Sequence, residues 1–264
     1  HDAFPRTQPE GYGWRKRLIL DRLHALAASR SARVVTVSEW SAGEIARAYR
    51  IPLERIVVAY NGLGNEISTP NSPPADDHEP YLFTLSTLEP RKNLIGLLRA
   101  IALLPNAPRL RIAGARGWKE SPIFAEVERL RLADRVEFLG YIPDEAVGPL
   151  MRGAELFILP SVAEGFGIPV LEAMAAGAAV ACSAGSSLPE VAGDLAYYFD
   201  PTSPEEMARV IGEALADAPD RRRRANRGPT RASQFSWERS LRSVEQAWRY
   251  AATVRNSPPK GGTL

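Results

Sequence analysis

Residues 155–172 read Glu155-Leu-Phe-Ile-Leu-Pro-Ser-Val-Ala-Glu-Gly-Phe-Gly-Ile-Pro-Val-Leu-Glu172. The strand-like run at 155–159, apolar after Glu155, has the length of a buried strand, and the loop after it leads into a helix with Pro169 in its first turn. Strands that alternate with helices are typical of α/β folds. The stretch therefore predicts a strand of a parallel sheet, with a glycine-containing loop at its carboxyl end.

This loop carries groups that suit a negatively charged, oxygen-rich ligand. Gly165 and Gly167 let the backbone approach a ligand, and the helix N-terminus adds a positive dipole end. Glu164 lies in the loop and Glu172 is expected in the first helical turn, so both carboxylates can face one crevice. One alternative is a tight turn followed by an acid that the dipole favours. Another is a glycosidase pair, which is disfavoured because such carboxylates flank the bond from opposite sides.

Strands and helices alternate regularly through the second half of the chain. Strands are predicted at 81–86, 109–113, 135–139, 155–159, 179–182 and 196–199. Helices are predicted at 93–104, 122–132, 144–153, 168–176, 188–193 and 204–217. The alternation predicts a Rossmann-like, doubly wound parallel sheet covered by helices on both faces. Because ligands bind beyond the carboxyl ends of such strands, the loops after the strands are the candidate sites.

The loop after the first of these strands is basic. It reads Ser86-Thr-Leu-Glu-Pro-Arg-Lys-Asn93, and Asn93 is expected to cap the next helix. Arg91 and Lys92 would then lie beside a helix N-terminus, where they can neutralise a diphosphate. The alternative is a solvated basic pair.

Two more loops follow strands of the same sheet. Gly114-Ala-Arg-Gly-Trp118 is a glycine turn whose role can be purely conformational. It lacks the Gly-x-Gly-x-x-Gly pattern, which argues against a nicotinamide dehydrogenase. In the other loop, Gly140, Tyr141 and Ile142 could hold a base through a backbone edge and an aromatic ring, although packing of Tyr141 is an equal alternative.

Other patterns have structural interpretations. Apolar residues at helical spacing predict a helix over residues 15–30, namely Leu18, Leu23, Leu26 and Ala27. Capping boxes are predicted at Ser41 with Glu44 and at Ser187 with Glu190. The run Arg221–Arg224 is interpreted as a solvated helix face, with contact to anionic lipid as an alternative.

Composition divides the chain. Residues 63–80 are rich in proline and poor in apolar residues, which is typical of a linker between residues 1–62 and a domain at 81–235. Residues 236–264 are expected to form a final helix and a disordered tail. The first residues resemble the end of a strand, so we expect a longer first domain upstream.

Charge and cysteine content exclude several classes. With 33 basic and 31 acidic residues, the net charge of +2 does not favour nucleic acid as a partner. The single cysteine, Cys182, rules out an internal disulfide and a cysteine-rich metal site, and is interpreted as a small buried residue. No apolar run approaches the roughly 20 residues that span a bilayer.

The loops in this order resemble the retaining glycosyltransferases of GT-B fold, the "glycosyl transferases group 1" family. Its hallmark is two glutamates separated by seven residues, matched here by Glu164 and Glu172. The resemblance covers roughly residues 33–217 and continues through four more segments: Glu89-Pro-Arg-Lys-Asn93, Arg111-Ile-Ala-Gly114, Val136-Glu-Phe-Leu-Gly-Tyr-Ile-Pro143 and Ser187-Leu-Pro-Glu-Val191. It implies a C-terminal donor-binding lobe, preceded by the tail end of an N-terminal Rossmann-like acceptor lobe.

The resemblance also implies roles for individual residues. Arg91 and Lys92 would hold the donor diphosphate, Glu172 the ribose hydroxyls, and Glu164 the transferred sugar. The expected donor-binding residues are Arg91, Lys92, Gly140, Tyr141, Ile142, Glu164, Gly165, Phe166, Gly167, Ile168 and Glu172. Of these, Arg91, Lys92 and Glu164 are expected to be catalytic, with no metal or other cofactor. His1 would correspond to a histidine that approaches the donor sugar.

The function implied is a bacterial, retaining hexosyltransferase of polysaccharide synthesis. The segments at 114–118 and 186–189 look most like enzymes that transfer mannose from GDP-mannose, here to a glycan or lipid-linked acceptor. The expected location is the cytoplasm, with possible peripheral contact at the inner face of the membrane. The alternative is a non-catalytic nucleotide-sugar-binding module or isolated donor lobe, because the glycine-rich loop of the acceptor lobe has no counterpart in these residues. A two-lobed sugar-phosphate isomerase is disfavoured.

Overall fold

Parallel strands form two separate sheets, one in each of two units of the chain. The computed structural model describes residues 2–8, 13–64, 79–117 and 120–256. One unit comprises residues 1–62 with 236–264, and the other comprises residues 63–235. The predictions for His1, for Trp118, for linker residues 65–78 and for the tail after residue 256 lie outside the described residues.

The described residues of the first unit form a small parallel sheet and four α-helices. Its elements are α1 (Phe4–Thr7), α2 (Trp14–Arg30), β1 (Val34–Thr36), α3 (Glu39–Tyr49), β2 (Ile56–Val58) and α11 (Trp237–Asn256). Strand β1 pairs in parallel with β2. The predicted helix at 15–30 is present as α2, but its leucines at positions 18, 23 and 26 are between 46% and 55% exposed. Helical spacing thus predicted the helix without predicting a buried face.

Helix α3 begins earlier than predicted. Its N-cap is Ser38, whose extended backbone lets its hydroxyl accept a hydrogen bond from the backbone N of Ser41 at 3.0 Å. Ser41 is already helical and buried, so the capping box predicted there is wrong. A capping serine must lie outside the helix, and here the serine three residues upstream fills that position.

The second unit alternates strands and helices as the sequence predicts. The strands are β3 (Tyr81–Leu85), β4 (Arg109–Ala113), β5 (Val136–Gly140), β6 (Leu156–Leu159), β7 (Val180–Ser183) and β8 (Ala196–Phe199). The helices are α4 (Leu94–Ala102), α5 (Ser121–Arg129), α6 (Asp144–Gly153), α7 (Ile168–Ala175), α8 (Leu188–Ala192), α9 (Pro204–Ala216) and α10 (Ala218–Ala232). All strand pairs are parallel, in the order β5-β4-β3-β6-β7-β8. The predicted doubly wound, Rossmann-like sheet is therefore confirmed.

The strand order places the candidate loops next to each other. From β3 the chain winds outward through β4 and β5, then returns to the other side of β3 with β6 and winds outward through β7 and β8. The centre of the sheet is fully buried, as shown by Leu82, Phe83 and Phe157, because helices cover both faces. The winding reverses between β3 and β6, and a crevice opens at the carboxyl ends of strands at such a switch point.

Helix α10 carries the predicted basic run. Arg221 is paired with Glu155, whereas Arg223 and Arg224 are paired with Asp220 on the same helix. Three of the four arginines therefore have an acidic partner within the second unit, which favours a structural role for the run over contact with lipid.

Candidate donor site

A buried charged cluster joins the loops after β3 and β6. Lys92 Nζ donates to Glu164 Oε1 at 2.7 Å, and Arg91 Nη1 donates to Glu164 Oε2 at 3.0 Å. The two cations lie in a short 3-10 turn, Pro90–Lys92, that follows β3. Because β3 and β6 are neighbours in the sheet, their carboxyl ends bring one glutamate between two cations. The sequence predicted these residues as parts of one site, and the structure places them in direct contact.

Glu164 is held in its ionised form. Burial alone would raise its pKa, but the charges of Lys92 and Arg91 outweigh burial and lower the pKa below its usual value. Arg91 gains a further carboxylate, since its Nη2 donates to Glu89 Oε1 at 2.8 Å. Burial lowers the pKa of Arg91, yet its two glutamate partners raise it overall. Arg91 and Glu164 therefore carry fixed, opposite charges at neutral pH.

The backbone of Glu164 is fixed by the loop after β7. Its N donates to Ser186 Oγ at 3.2 Å, and its carbonyl oxygen accepts from Ser187 Oγ at 2.9 Å. The capping box predicted at Ser187 is wrong, because the Ser187 side chain makes no capping hydrogen bond to helix α8. Its hydroxyl anchors the glutamate loop instead, a tertiary contact that local spacing does not indicate.

Asn93 occupies the N-cap position of α4 without capping it through its side chain. Its backbone is left-handed, with φ 53°, and its side-chain amide donates to the carbonyl oxygens of Pro160 and Pro201 at 3.2 and 2.7 Å. The prediction of a side-chain cap is therefore wrong. Asn93 instead ties the basic turn to the loops after β6 and β8, and it fixes where Lys92 lies.

The glycine loop before α7 is shaped by close packing. Gly167 has φ 103°, and a Cβ there would lie 2.5 Å from a methyl carbon of Leu188, so only glycine fits without strain. Phe166 is 3% exposed and its ring packs edge-on against Phe235, with the centroids 5.7 Å apart. The side chain of this predicted donor residue is therefore part of the core, which leaves its backbone for a ligand. Gly165 is half-buried, and Ile168 is exposed.

Glu172 lies just past the first turn of its helix, whereas the sequence predicted it in that turn. Helix α7 begins at Ile168, so its first turn contains no acidic residue and Glu172 is its fifth residue. The helix begins at the predicted residue, but the prediction of a first-turn acid is wrong, because the first turn ends before Glu172. Burial, together with the nearby Asp144 carboxylate, raises the pKa of Glu172 to about 7.

A cleft of about 740 Å³ opens at the carboxyl ends of the central strands. Its described lining is Gly64, Leu85, Ser86, Thr87, Lys92, Gly114, Ala115, Tyr141, Ile142, Asp144, Val147, Pro169 and Glu172. The structure thus brings four of the predicted donor residues, at positions 92, 141, 142 and 172, into one lining. The others, at positions 91, 140, 164, 165, 166, 167 and 168, lie outside this lining, and Arg91 and Glu164 adjoin it through their contacts with Lys92.

Part of this lining was not predicted from the sequence. Gly114 was interpreted as a turn residue, but with φ 143° a Cβ there would lie 2.0 Å from the carbonyl oxygen of Ser86, so it allows two strand ends to meet at the cleft. Asp144 and Val147 lie on α6, just after the predicted base loop. Asp144 and Val147 could have been found from the sequence. They follow the carboxyl end of a strand in the predicted sheet, and they lie three residues apart on one face of the next helix.

The described residues show neither a metal-binding cluster nor a membrane-spanning helix. No group of three or more His, Cys, Asp or Glu side chains in the described part of the chain could hold a metal ion. Within those same residues, none of the helices combines the length and the apolar character that crossing a bilayer requires.

Two family models match the chain. The model described as "Glycosyl transferases group 1" matches residues 66–231, and the model described as "Glycosyltransferase Family 4" matches residues 1–64. The O-antigen chain mannosyltransferase B of Escherichia coli is 37% identical over 94% of the chain, which spans 68% of that relative. The serotype-specific mannosyltransferase WbdA of the same species is 29% identical over 90% of the chain, which spans only 31% of it.

Solved structures share the fold. A sucrose-phosphate synthase from Thermosynechococcus elongatus matches 91% of the chain with a TM-score of 0.78 and 23% identity, and the chain spans 62% of it. The Anabaena protein HepE, solved in complex with UDP-glucose, matches 94% of the chain with a TM-score of 0.75 and 23% identity, and the chain spans 70% of it. The chain therefore spans about two thirds of these structures.

Proposed function

Because the chain belongs to the glycosyl transferases group 1 family, we propose that it carries the nucleotide-sugar site of a retaining hexosyltransferase of polysaccharide synthesis. The predicted resemblance and the GT-B fold are confirmed by the family and structural matches. We propose mannose as the sugar, in keeping with the two relatives whose names say that they are mannosyltransferases. The donor we propose is GDP-mannose, used without a metal or other cofactor.

The lining of the cleft supports this proposal most directly. The cleft at the switch point of the sheet has Lys92 in its lining, backed by Arg91, and has the carboxylate of Glu172 in the same lining. A nucleotide sugar needs both kinds of group, since its diphosphate attracts cations and its ribose hydroxyls donate to carboxylates. The two predicted halves of a donor site thus lie in one cleft of ligand size.

The charged cluster suggests how the reaction is promoted. When a nucleoside diphosphate departs, negative charge grows on the leaving phosphate, and cations already fixed in place stabilise it without reorganising. Glu164 fixes both cations, since it contacts Lys92 at 2.7 Å and Arg91 at 3.0 Å. We therefore propose that Arg91 and Lys92 stabilise the leaving group. We assign no protein nucleophile, in keeping with attack on the face from which the phosphate leaves.

The acceptor and the cellular location complete the proposal. We propose a glycan or lipid-linked acceptor, in keeping with the relative named as an O-antigen chain mannosyltransferase. A cytoplasmic site with peripheral contact at the inner face of the membrane would give access to such an acceptor. The net charge of +2 gives no reason to add nucleic acid as a partner.

Calorimetric titration of the chain with GDP-mannose, UDP-glucose and dTDP-rhamnose tests the donor site. We expect GDP-mannose to bind most tightly, and Arg91→Ala and Glu172→Ala to lower its affinity by roughly tenfold or more. Arg209→Ala and Glu213→Ala are matched controls, because this exposed pair on α9 lies outside the cleft lining. The proposal is wrong if no nucleotide sugar binds, or if the site variants bind as the controls do. Binding without transfer to any acceptor would favour the non-catalytic module.

A further inference from the structure

The lining of the cleft is chemically uneven. Among its described residues, Lys92 is the only cation, and it comes from the basic turn after β3. The carboxylates are Asp144 and Glu172, and Asp144 comes from the first residue of α6, after β5. These strands lie two places apart in the sheet. The lining after β3 is therefore suited to phosphate, and the lining after β5 to a group that donates hydrogen bonds.

The side formed after β5 can hold a flat ring. Ile142 and Val147 line it with apolar surface, and Tyr141 is 76% exposed, so its ring is accessible for stacking. Asp144 lies three residues before Val147, on the same face of α6, and its carboxylate therefore borders this apolar surface. Apolar walls with one precisely placed polar group are typical of a site for a planar heterocycle.

The chemistry of the carboxylate selects among the bases. An ionised carboxylate only accepts hydrogen bonds, through two oxygens side by side. Guanine offers two adjacent donors, N1–H and the N2 amino group, whereas uracil and thymine place a carbonyl oxygen on each side of their one donor. We infer, on the basis of the proposed function, that Asp144 recognises the Watson–Crick edge of guanine and selects GDP-linked over UDP- or dTDP-linked donors.

A structural role for Asp144 makes a different prediction. An acidic residue in the first turn of a helix is favoured by the helix dipole, whatever the ligand. Glu145 lies in the same first turn, is also exposed, and is not part of the described lining. Glu145→Gln therefore removes the same helix charge without touching the cleft. It is the matched control for Asp144→Asn.

The test compares GDP with inosine diphosphate, which lacks only the N2 amino group of guanine, and with UDP. Calorimetric titration of the wild-type chain should give a Kd for GDP roughly tenfold lower than that for inosine diphosphate. Asp144→Asn should reduce this ratio to about twofold and weaken GDP binding by roughly tenfold, while UDP binding changes by less than about twofold. Glu145→Gln should leave all three affinities unchanged.

Two other outcomes are distinguishable. If GDP binds but its advantage over inosine diphosphate is the same in wild type and in Asp144→Asn, the role of Asp144 is wrong and the donor site stands. If the wild-type chain binds neither GDP nor UDP, the proposed function is wrong, and the role of Asp144 is wrong with it. Equal unfolding midpoints of the two variants would show that altered folding does not cause the difference.

Discussion

The two glutamates of the Glu164 to Glu172 segment have opposite environments. Glu164 lies between two cations, and their charges lower its pKa. Glu172 lies in the cleft with Asp144, and its pKa is raised to about 7. Both are predicted from the same short motif, yet one is a fixed anion within the fold and the other changes charge near neutral pH. The motif therefore contains two carboxylates that differ in charge near neutral pH.

The difference follows from where each residue lies. Glu164 precedes the helix and meets the turn after β3, because β6 pairs with β3. Glu172 is a full turn inside α7, beyond the reach of the first-turn amides, and no cation is among the groups that shift its pKa. The pairing of β3 with β6 thus determines the partners of Glu164, and the position of Glu172 along α7 determines its surroundings.

Removing Glu164 should have the largest effect on stability. Glu164→Ala leaves Lys92 and Arg91 without the carboxylate that they share, and breaking a buried ion pair from one side costs about 3–5 kcal/mol. Urea unfolding at pH 8 should show this loss, whereas Glu172→Ala should cost far less. Equal losses in the two variants would contradict the contrast between the glutamates.

The pH dependence should differ in sign between the two positions. The pKa of Glu172 rises from 4.5 to about 7 on folding, so the folded chain retains a proton that the unfolded chain loses. Stability should therefore fall as pH rises from about 4.5 to 7. The pKa of Glu164 is lowered, so its contribution is present at neutral pH and is lost only as pH falls below 4.5.

Glu172→Gln should remove the loss of stability that the Glu172 carboxylate causes as pH rises. Measured by urea unfolding, its free energy of unfolding should exceed that of wild type by an amount that grows between pH 5 and pH 8, toward about 3 kcal/mol. A difference that is constant with pH would show that the Glu172 carboxylate is not buried as described.

Nucleotide binding tests whether Glu164 positions Lys92 and Arg91 or contacts the donor sugar directly. If Glu164 acts through Lys92 and Arg91, Glu164→Gln should weaken GDP and GDP-mannose to the same extent, by roughly tenfold. If Glu164 contacts the sugar, the substitution should weaken the binding of GDP-mannose only. Calorimetry with both ligands distinguishes the two roles, and a wild-type circular dichroism spectrum of the variant at the titration temperature would verify the fold.

The smallest effect is expected at Glu89. Its contact with Arg91 is a second, more exposed ion pair, since the Glu89 side chain is 18% exposed and that of Glu164 is 9% exposed. Glu89→Gln should change the free energy of unfolding by less than about 1 kcal/mol. It should strengthen GDP binding by roughly two- to fivefold, because it removes a negative charge beside the diphosphate site. Weaker binding would show that Glu89 orients Arg91 rather than competing with the ligand.

The sequence predicted the fold well, because its signals are local and repeated. Short apolar runs, separated by segments with helical spacing, predicted every described strand of the second unit. Strands β4 and β8 have the predicted bounds. The caps at Ser41, Asn93 and Ser187 were wrong for one shared reason. Each side chain has a choice of partners, and the position of the helix start or a tertiary contact decides which is used.

The candidate site was predicted in parts. The cations and the two glutamates were each recognisable from their loops, and the resemblance placed them in one site. The direct pairing of Glu164 with Lys92 could not be read from spacing, because the two residues are 72 positions apart. Asp144 was missed because an acid at a helix start has an ordinary structural explanation.

A crystal structure of the chain with GDP-mannose tests the central claim most directly, because it locates every part of the ligand at once. We expect diphosphate oxygens at about 3 Å from Lys92 and Arg91, and ribose hydroxyls at a similar distance from the Glu172 carboxylate. The guanine should lie beside Tyr141 and Asp144. A ligand bound away from the cleft, or one whose diphosphate contacts neither cation, would contradict the account.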